Sequence, residues 1–174
     1  MIIQNIMTDR LILIPVTLQM TTLLLCDNRT EIEHIGIQMS EHWPTPDTKD
    51  ILPMVHETLK RHGAPSGFEF WMILCKDNNM VIGDIGFHGK PDKNGEVEVG
   101  FGLVREVWNK GYGYEALKGI VDWIKMQEGI KTLKADCLID NVASRRILEK
   151  IGLEEIYRND EYIFWKSNVK DLLV

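Results

Sequence analysis

The chain is poor in cysteine, and its cysteines do not pair in sequence. Cys26, Cys75 and Cys137 are the three present; they lie far apart and form no CxxC spacing. That excludes a disulfide-built scaffold and suits reduced thiols in the cytoplasm. No apolar run approaches the ~18 residues that cross a bilayer, and no basic-then-apolar leader opens the sequence. Neither a secreted nor a membrane-spanning protein is expected. Positive charge is also short, with 20 Lys and Arg against 26 Asp and Glu and a net charge of −6. A nucleic-acid groove needs clustered cations, so this balance argues against one and leans weakly toward cationic ligands. The five histidines show no HExxH or comparable spacing, so no metal site is expected. Repeats, low-complexity tracts and long linkers are missing as well, and 174 residues suit one domain over 1–174.

What the chain does have is an organising stretch from Val97 to Gln127. Val97, Val99, Phe101 and Leu103 alternate with Glu96, Glu98, Gly100 and Gly102, the period of a strand with one apolar face. Farther on, Ala116, Leu117, Ile120, Val121 and Ile124 recur at helical spacing. Between them lies Val104-Arg105-Glu106-Val107-Trp108-Asn109-Lys110-Gly111-Tyr112-Gly113-Tyr114. A strand thus feeds a glycine-containing loop that opens into a helix. The first turn of a helix leaves amides without partners, and its dipole adds about half a positive charge there. Glycines let an anion approach the main chain, and Lys110 adds a charge nearby, so the loop suits phosphate; a plain tight turn is the alternative.

The remaining elements fall around this unit. Strands are expected over Arg10–Val16, Phe68–Lys76, Val81–His88, Lys131–Ile139, Leu153–Arg158 and Tyr162–Ser167. Helices are expected after Thr17, after a cap at Asp47 or Thr48, and from an Asn141 cap to Gly152; Ile32, Ile35 and Met39 allow a further short one. The β–loop–α–β order between 96 and 139 makes a crossover whose strands run parallel, while the hairpins make the rest antiparallel. The fold class is therefore α/β, a mixed and mostly antiparallel sheet with helices on both faces.

Gly111-x-Gly113-x-x-Ala116 also matches the dinucleotide fingerprint, with Asp136 near the place of a ribose-binding acid. Too long a loop precedes the first glycine, and too little chain follows, for that fold. A different likeness covers nearly the whole chain. Val104 to Ala116, followed by Asn141-Val142-Ala143-Ser144-Arg145-Arg146-Ile147-Leu148-Glu149-Lys150-Ile151-Gly152-Leu153, resembles the GNAT acetyltransferase superfamily. It is most similar to the RimJ/RimL-like branch of ribosomal-protein N-terminal alanine acetyltransferases, as are Thr8-Asp9-Arg10-Leu11, Glu98-Val99-Gly100-Phe101 and Trp108.

The resemblance implies acetyl-CoA as co-substrate, its pyrophosphate on the backbone of Asn109, Lys110, Gly111, Tyr112, Gly113 and Tyr114. It implies that the pantetheine arm pairs with main-chain groups of Leu103 and Val104, and that the thioester lies between two diverging strands. An amide near Phe101 to Leu103 would serve the oxyanion. Trp108 stands where much of the superfamily has Gln or Arg, and Leu148 where many members carry an acidic tyrosine. Ser144 matches the serine that this branch has instead, and is the candidate proton donor to the leaving thiol; simple satisfaction of first-turn amides is the alternative. Asn141 is either a helix cap or a coenzyme contact. Glu98 is the candidate base, set against a plain ion-paired carboxylate, with His88 and Asp84 as outside candidates. His42, Trp43 and Trp71 lie in the region that shapes the acceptor pocket in this branch, or else serve packing alone. The acceptor implied is a primary amine, foremost a protein or peptide N-terminal α-amine such as that of a ribosomal protein. Small-molecule amines and a non-catalytic acyl-CoA-binding module remain open, as do monomer and homodimer.

Overall fold

The structure, a computed structural model, describes residues 3–172. In chain order its elements are β1 (Ile6–Met7), β2 (Leu11–Pro15), α1 (Leu18–Leu25), α2 (Arg29–His34), β3 (Gln38–Met39), α3 (Pro46–His62), β4 (Phe70–Cys75), β5 (Met80–Phe87), β6 (Glu96–Leu103), α4 (Tyr112–Lys125), β7 (Thr132–Leu138), α5 (Val142–Ile151), β8 (Glu154–Arg158) and β9 (Tyr162–Asn168). One sheet runs in the order β1-β2-β4-β5-β6-β7-β9-β8, with β3 added beside β5. β6 and β7 are parallel, as the crossover requires, and so are β3 and β5; the other pairs are antiparallel. The expected mixed sheet is the observed one.

Two local expectations shift. The segment before Trp43 holds a shorter helix than Ile32, Ile35 and Met39 suggest: Ile32 is buried on α2, Ile35 is exposed beyond its end, and Met39 turns into the edge strand β3. The cap of α3 is Thr45 rather than Asp47 or Thr48, and Thr45 Oγ1 accepts from the Thr48 amide at 3.2 Å. Pro46 explains the difference. Its fixed φ and missing N–H fit the first helical position, which pulls the start of the helix back.

The alternation along β6 sorts its two faces. Val97 and Val99 are buried, and the Leu103 side chain reaches toward Gly113 on α4, so the odd-numbered residues face α4. Glu98, Gly100 and Gly102 therefore face the other side, where register sets Asp84 of β5 beside Gly102 and Gly86 beside Gly100. Thr48 of α3 bonds to Asp84, so α3 covers this second face. The core sandwiches the sheet from both sides: Ala116, Leu117, Ile120, Val121 and Ile124 from α4, and Leu52, Val55 and Leu59 from α3.

Candidate functional site

β6 and β7 are paired only through Glu96↔Thr132, Val97↔Leu133 and Glu98↔Lys134. Beyond that point they part, although β6 continues to Leu103 and β7 to Leu138. The β5–β6 register decides which main-chain groups face the gap. His88 N–H donates to Glu98 O at 3.0 Å and Val104 N–H to Ile82 O at 2.9 Å, so even-numbered residues of β6 bond to β5. The main-chain groups of Phe101 and Leu103 then point toward the opening. Of these, Leu103 O already accepts from the Trp108 indole at 2.8 Å. Val104 O accepts from Val107 N–H at 3.2 Å, which leaves both main-chain groups of Val104 engaged.

The gap leads to the mouth of α4. Gly111 caps that helix with φ 84°, a left-handed conformation that favours glycine, and Asn109 before it has φ 60°. Thr17, Asn28, Thr45 and Asn141 place a side-chain oxygen on the first turns of α1, α2, α3 and α5. The first turn of α4 receives no such side chain, so its leading amides stay available.

Arg10, at the foot of β2, holds this loop in place. Its Nη1 donates to Lys110 O at 3.0 Å, its Nε to Glu115 Oε2 at 2.7 Å, and its guanidinium lies 4.4 Å from the centre of the Tyr112 ring. Glu115 Oε1 also accepts from Thr8 Oγ1 at 2.6 Å and from Arg10 N–H at 2.7 Å. Burial raises the Glu115 pKa, but the hydrogen bonds from Thr8 and Arg10 outweigh it and hold the carboxyl below its usual range. Local sequence pattern gives no sign of this clamp, because the partners lie more than a hundred residues apart.

A cleft of about 800 Å³ joins these parts. Phe101, Leu103, Val104, Trp108, Asn109, Gly111, Tyr112, Gly113 and Tyr114 line it from the strand and loop, and Asn141 and Ser144 from the start of α5. Lys110 is exposed and is not part of the wall; the cations that line it are Arg105 and Arg146, neither singled out from the sequence. The Asn141 side chain accepts from Ser144 N–H at 3.0 Å, so Asn141 supplies the cap, and the Ser144 hydroxyl bonds to no other described residue. Leu148 is fully buried. His42, Thr45 and Asp47, from the segment leading into α3, also line the cleft, with His42 Nε2 3.0 Å from Glu106 Oε1.

Glu98 lies outside the cleft lining. Its Oε1 sits 3.1 Å from His88 Nδ1, and it lies near Asp136, whose pKa is raised first by burial and then by the negative charge of Glu98. Asp84 is buried, at 8 % exposure, and its Oδ2 accepts from the Trp43 indole at 2.7 Å and from Thr48 Oγ1 at 2.6 Å. Burial pushes its pKa to about 6, with the Thr48 and Trp43 bonds pulling the other way and the nearby Asp47 adding to the rise. Trp71 is fully buried, donates to Gly67 O and packs edge-on against Trp123, away from the cleft.

Residues 10–154 match the family model described as an acetyltransferase (GNAT) domain. An uncharacterised N-acetyltransferase of Bacillus subtilis, YjdG, is 34 % identical over 134 residues, which is 77 % of this chain and 80 % of YjdG. Among solved structures, RimL, a ribosomal L7/L12 α-N-protein acetyltransferase in complex with coenzyme A, aligns with TM-score 0.65 at 16 % identity over 95 % of this chain and 98 % of its own. A nucleotide-linked sugar GNAT, FdhC, aligns with TM-score 0.68 at 15 % identity over 97 % of this chain and 92 % of its own.

Proposed function

The chain belongs to the GNAT acetyltransferase family and is an acyltransferase, and from that membership we propose that it moves an acetyl group from acetyl-CoA to the α-amine of a protein or peptide. The observation that carries this reading is the continuity of one cleft from the parting of β6 and β7 to the uncapped mouth of α4. The pyrophosphate rests on the amides of Tyr112, Gly113 and Tyr114, with Asn109 and Gly111 shaping the turn and Arg105 and Arg146 supplying positive charge. The pantetheine arm runs as an added strand along Phe101 and the Leu103 N–H. Asn141 holds the start of α5, and the free Ser144 hydroxyl protonates the leaving thiolate, whose charge the dipole of α5 also eases. The same amides of β6 stabilise the oxyanion.

The choice of acceptor rests on acid–base arithmetic. A lysine-type amine at pKa ~10.4 costs about 4.6 kcal/mol to deprotonate at pH 7, whereas a peptide α-amine near ~8 costs about 1.4 kcal/mol. A site with modest basic groups is better matched to the second. The ribosomal acceptor named for RimL is an α-amine of this kind. Attack is direct within a ternary complex.

Thiol release from acetyl-CoA tests the reading, using an alanine-initiated peptide, spermidine and kanamycin as acceptors. Preference for the peptide supports it, and turnover of spermidine or kanamycin alone replaces the acceptor by a small-molecule amine. Gly111→Glu sets bulk and negative charge at a left-handed position whose Cβ direction already faces Arg10 Nη2 at 3.3 Å. It is expected to abolish coenzyme binding by calorimetry, and unchanged affinity defeats the phosphate assignment.

A further inference from the structure

The strand face opposite α4 has an unusual gap in its side chains. On β6, Gly100 and Gly102 carry none, and a Cβ built on Gly102 would meet nothing nearer than Asp84 Oδ1, at 4.0 Å. Gly102 lines the cleft and Asp84 does not, so Asp84 stands one layer behind the wall, with no β6 side chain between its Oδ1 and the Gly102 backbone. Asp84 is held rigidly there. Oδ2 takes both fixed hydrogen bonds, from Trp43 and Thr48, and Oδ1 bonds to no described residue. Nor is Oδ1 sealed away: the one enclosed side-chain N or O without a partner among the described residues is Arg145 Nε. A buried carboxylate with one oxygen locked and the other facing a bare glycine is built to meet a ligand's hydrogen-bond donor.

We infer that Asp84 is the carboxylate that receives the acceptor amine and takes its proton, and that Gly102 is glycine to keep that path open. The inference rests on the acyl-transfer reading above and adds the base to it. Neither Glu98, the base expected from the sequence, nor Asp84 is in the cleft wall. Glu98 is paired with His88 at 3.1 Å, whereas Asp84 Oδ1 is left without a partner among the described residues. The acceptor amine arrives as an ammonium past His42, Thr45 and Asp47. One of its three protons passes to Asp84 Oδ1. The freed lone pair attacks the thioester carbonyl, forming the C–N bond, and the C–S bond breaks. A second proton from the nitrogen balances the thiol, relayed through Ser144, the third stays on the amide, and Asp84 returns its proton to water. Of the charged groups around Asp84, Asp47 on α3 acts on it, while β4 and β6 present Met72 and Gly102 at the paired positions, which do not titrate. A carboxyl that ionises near pH 6 is placed to accept a proton at neutral pH.

The test compares Asp84→Asn, Glu98→Gln and Thr48→Val with the wild-type protein, using the alanine-initiated peptide, spermidine and kanamycin as probes. The readouts are kcat, the pH profile of kcat/KM, and acetyl-CoA affinity by calorimetry. Asp84→Asn is expected to lower kcat about 100-fold or more and to lose the rising limb near pH 6, with coenzyme affinity unchanged. Wild-type kcat with the limb intact in that variant overturns the inference, as does loss of rate and limb in Glu98→Gln while Asp84→Asn keeps both. Should Asp84→Asn fail to bind acetyl-CoA, Thr48→Val decides. Removing a bond that favours the ionised carboxyl moves the limb to higher pH, and an unmoved limb rejects the role. Coenzyme binding without turnover of any probe by the wild-type protein takes down the acyl-transfer reading and this inference together, whereas normal turnover in Asp84→Asn removes only the latter.

Discussion

Arg10 and Glu115, at the start of β2 and in the first turn of α4, are joined by an Nε–Oε2 bond of 2.7 Å. Glu115 gathers two further donors and Arg10 also holds the Lys110 carbonyl, so one guanidinium sets both the loop and the helix it opens. Arg10→Ala is expected to weaken acetyl-CoA binding roughly tenfold, because the loop amides lose their fixed aim. Arg10→Lys does not restore affinity, since an ammonium cannot reproduce the fork of donors. Calorimetry on both variants checks this; wild-type affinity in Arg10→Ala would show that the loop holds its shape without the clamp.

Trp108 is half exposed, at 52 %, yet its indole N–H is spent on Leu103 O. That bond occupies one of the main-chain groups facing the gap and fixes the far end of β6 to the loop. Trp108→Phe keeps much of the apolar surface and removes the donor. Coenzyme affinity is expected to fall by about three- to tenfold with little change in Tm, matching the loss of one hydrogen bond. A drop in Tm with affinity preserved would assign Trp108 to stability instead.

The sheet and the βαβ unit were legible because both are written in short-range periodicity. Val97, Val99, Phe101 and Leu103 alternate, and Ala116 to Ile124 repeat at helical spacing, without reference to any distant residue. That the loop and Ser144 would share one cleft was legible from motif likeness. What stayed hidden depends on strand register. Nothing local says that Val104 spends its amide on Ile82, that Glu98 turns to His88, or that Asp84 falls opposite Gly102. Asp84 reads in sequence as an outside candidate behind Glu98; its burial under Trp43 and Thr48 is what sets it apart. Lys110 stands off the cleft wall for the converse reason, since chain proximity to the loop does not fix which way a long side chain points.

Ser144 and Asn141 can be separated experimentally. The Ser144 amide is capped by the Asn141 side chain, so the helix does not need the serine hydroxyl. Ser144→Ala is expected to lower kcat about 10- to 100-fold with the coenzyme dissociation constant nearly unchanged. Asn141→Ala instead loses the cap, at a cost of about 1 kcal/mol, and should show it as a lower Tm. Wild-type kcat in Ser144→Ala removes the acid role.

Asp84 also ties stability to pH, with a sign opposite to that of most carboxylates. Its pKa rises from 3.8 in the unfolded chain to about 6 in the fold, so the native state holds the proton more tightly between those values. Stability from this group is present in full below pH 3.8 and is lost as pH rises through about 6. The difference amounts to about 3 kcal/mol against the ionised form at neutral pH. Asn cannot ionise, has nearly the same shape, and its carbonyl can still accept from Trp43 and Thr48. Asp84→Asn is therefore expected to be more stable than the wild-type protein at pH 7.5, with the gap closing toward pH 4. Urea unfolding at both values measures it. A pH-independent gap would mean that the carboxyl is not strained by burial, and with it would go the physical reason for a base poised at this position. A gain in stability alongside a loss of turnover is what a site that sacrifices stability for chemistry should show.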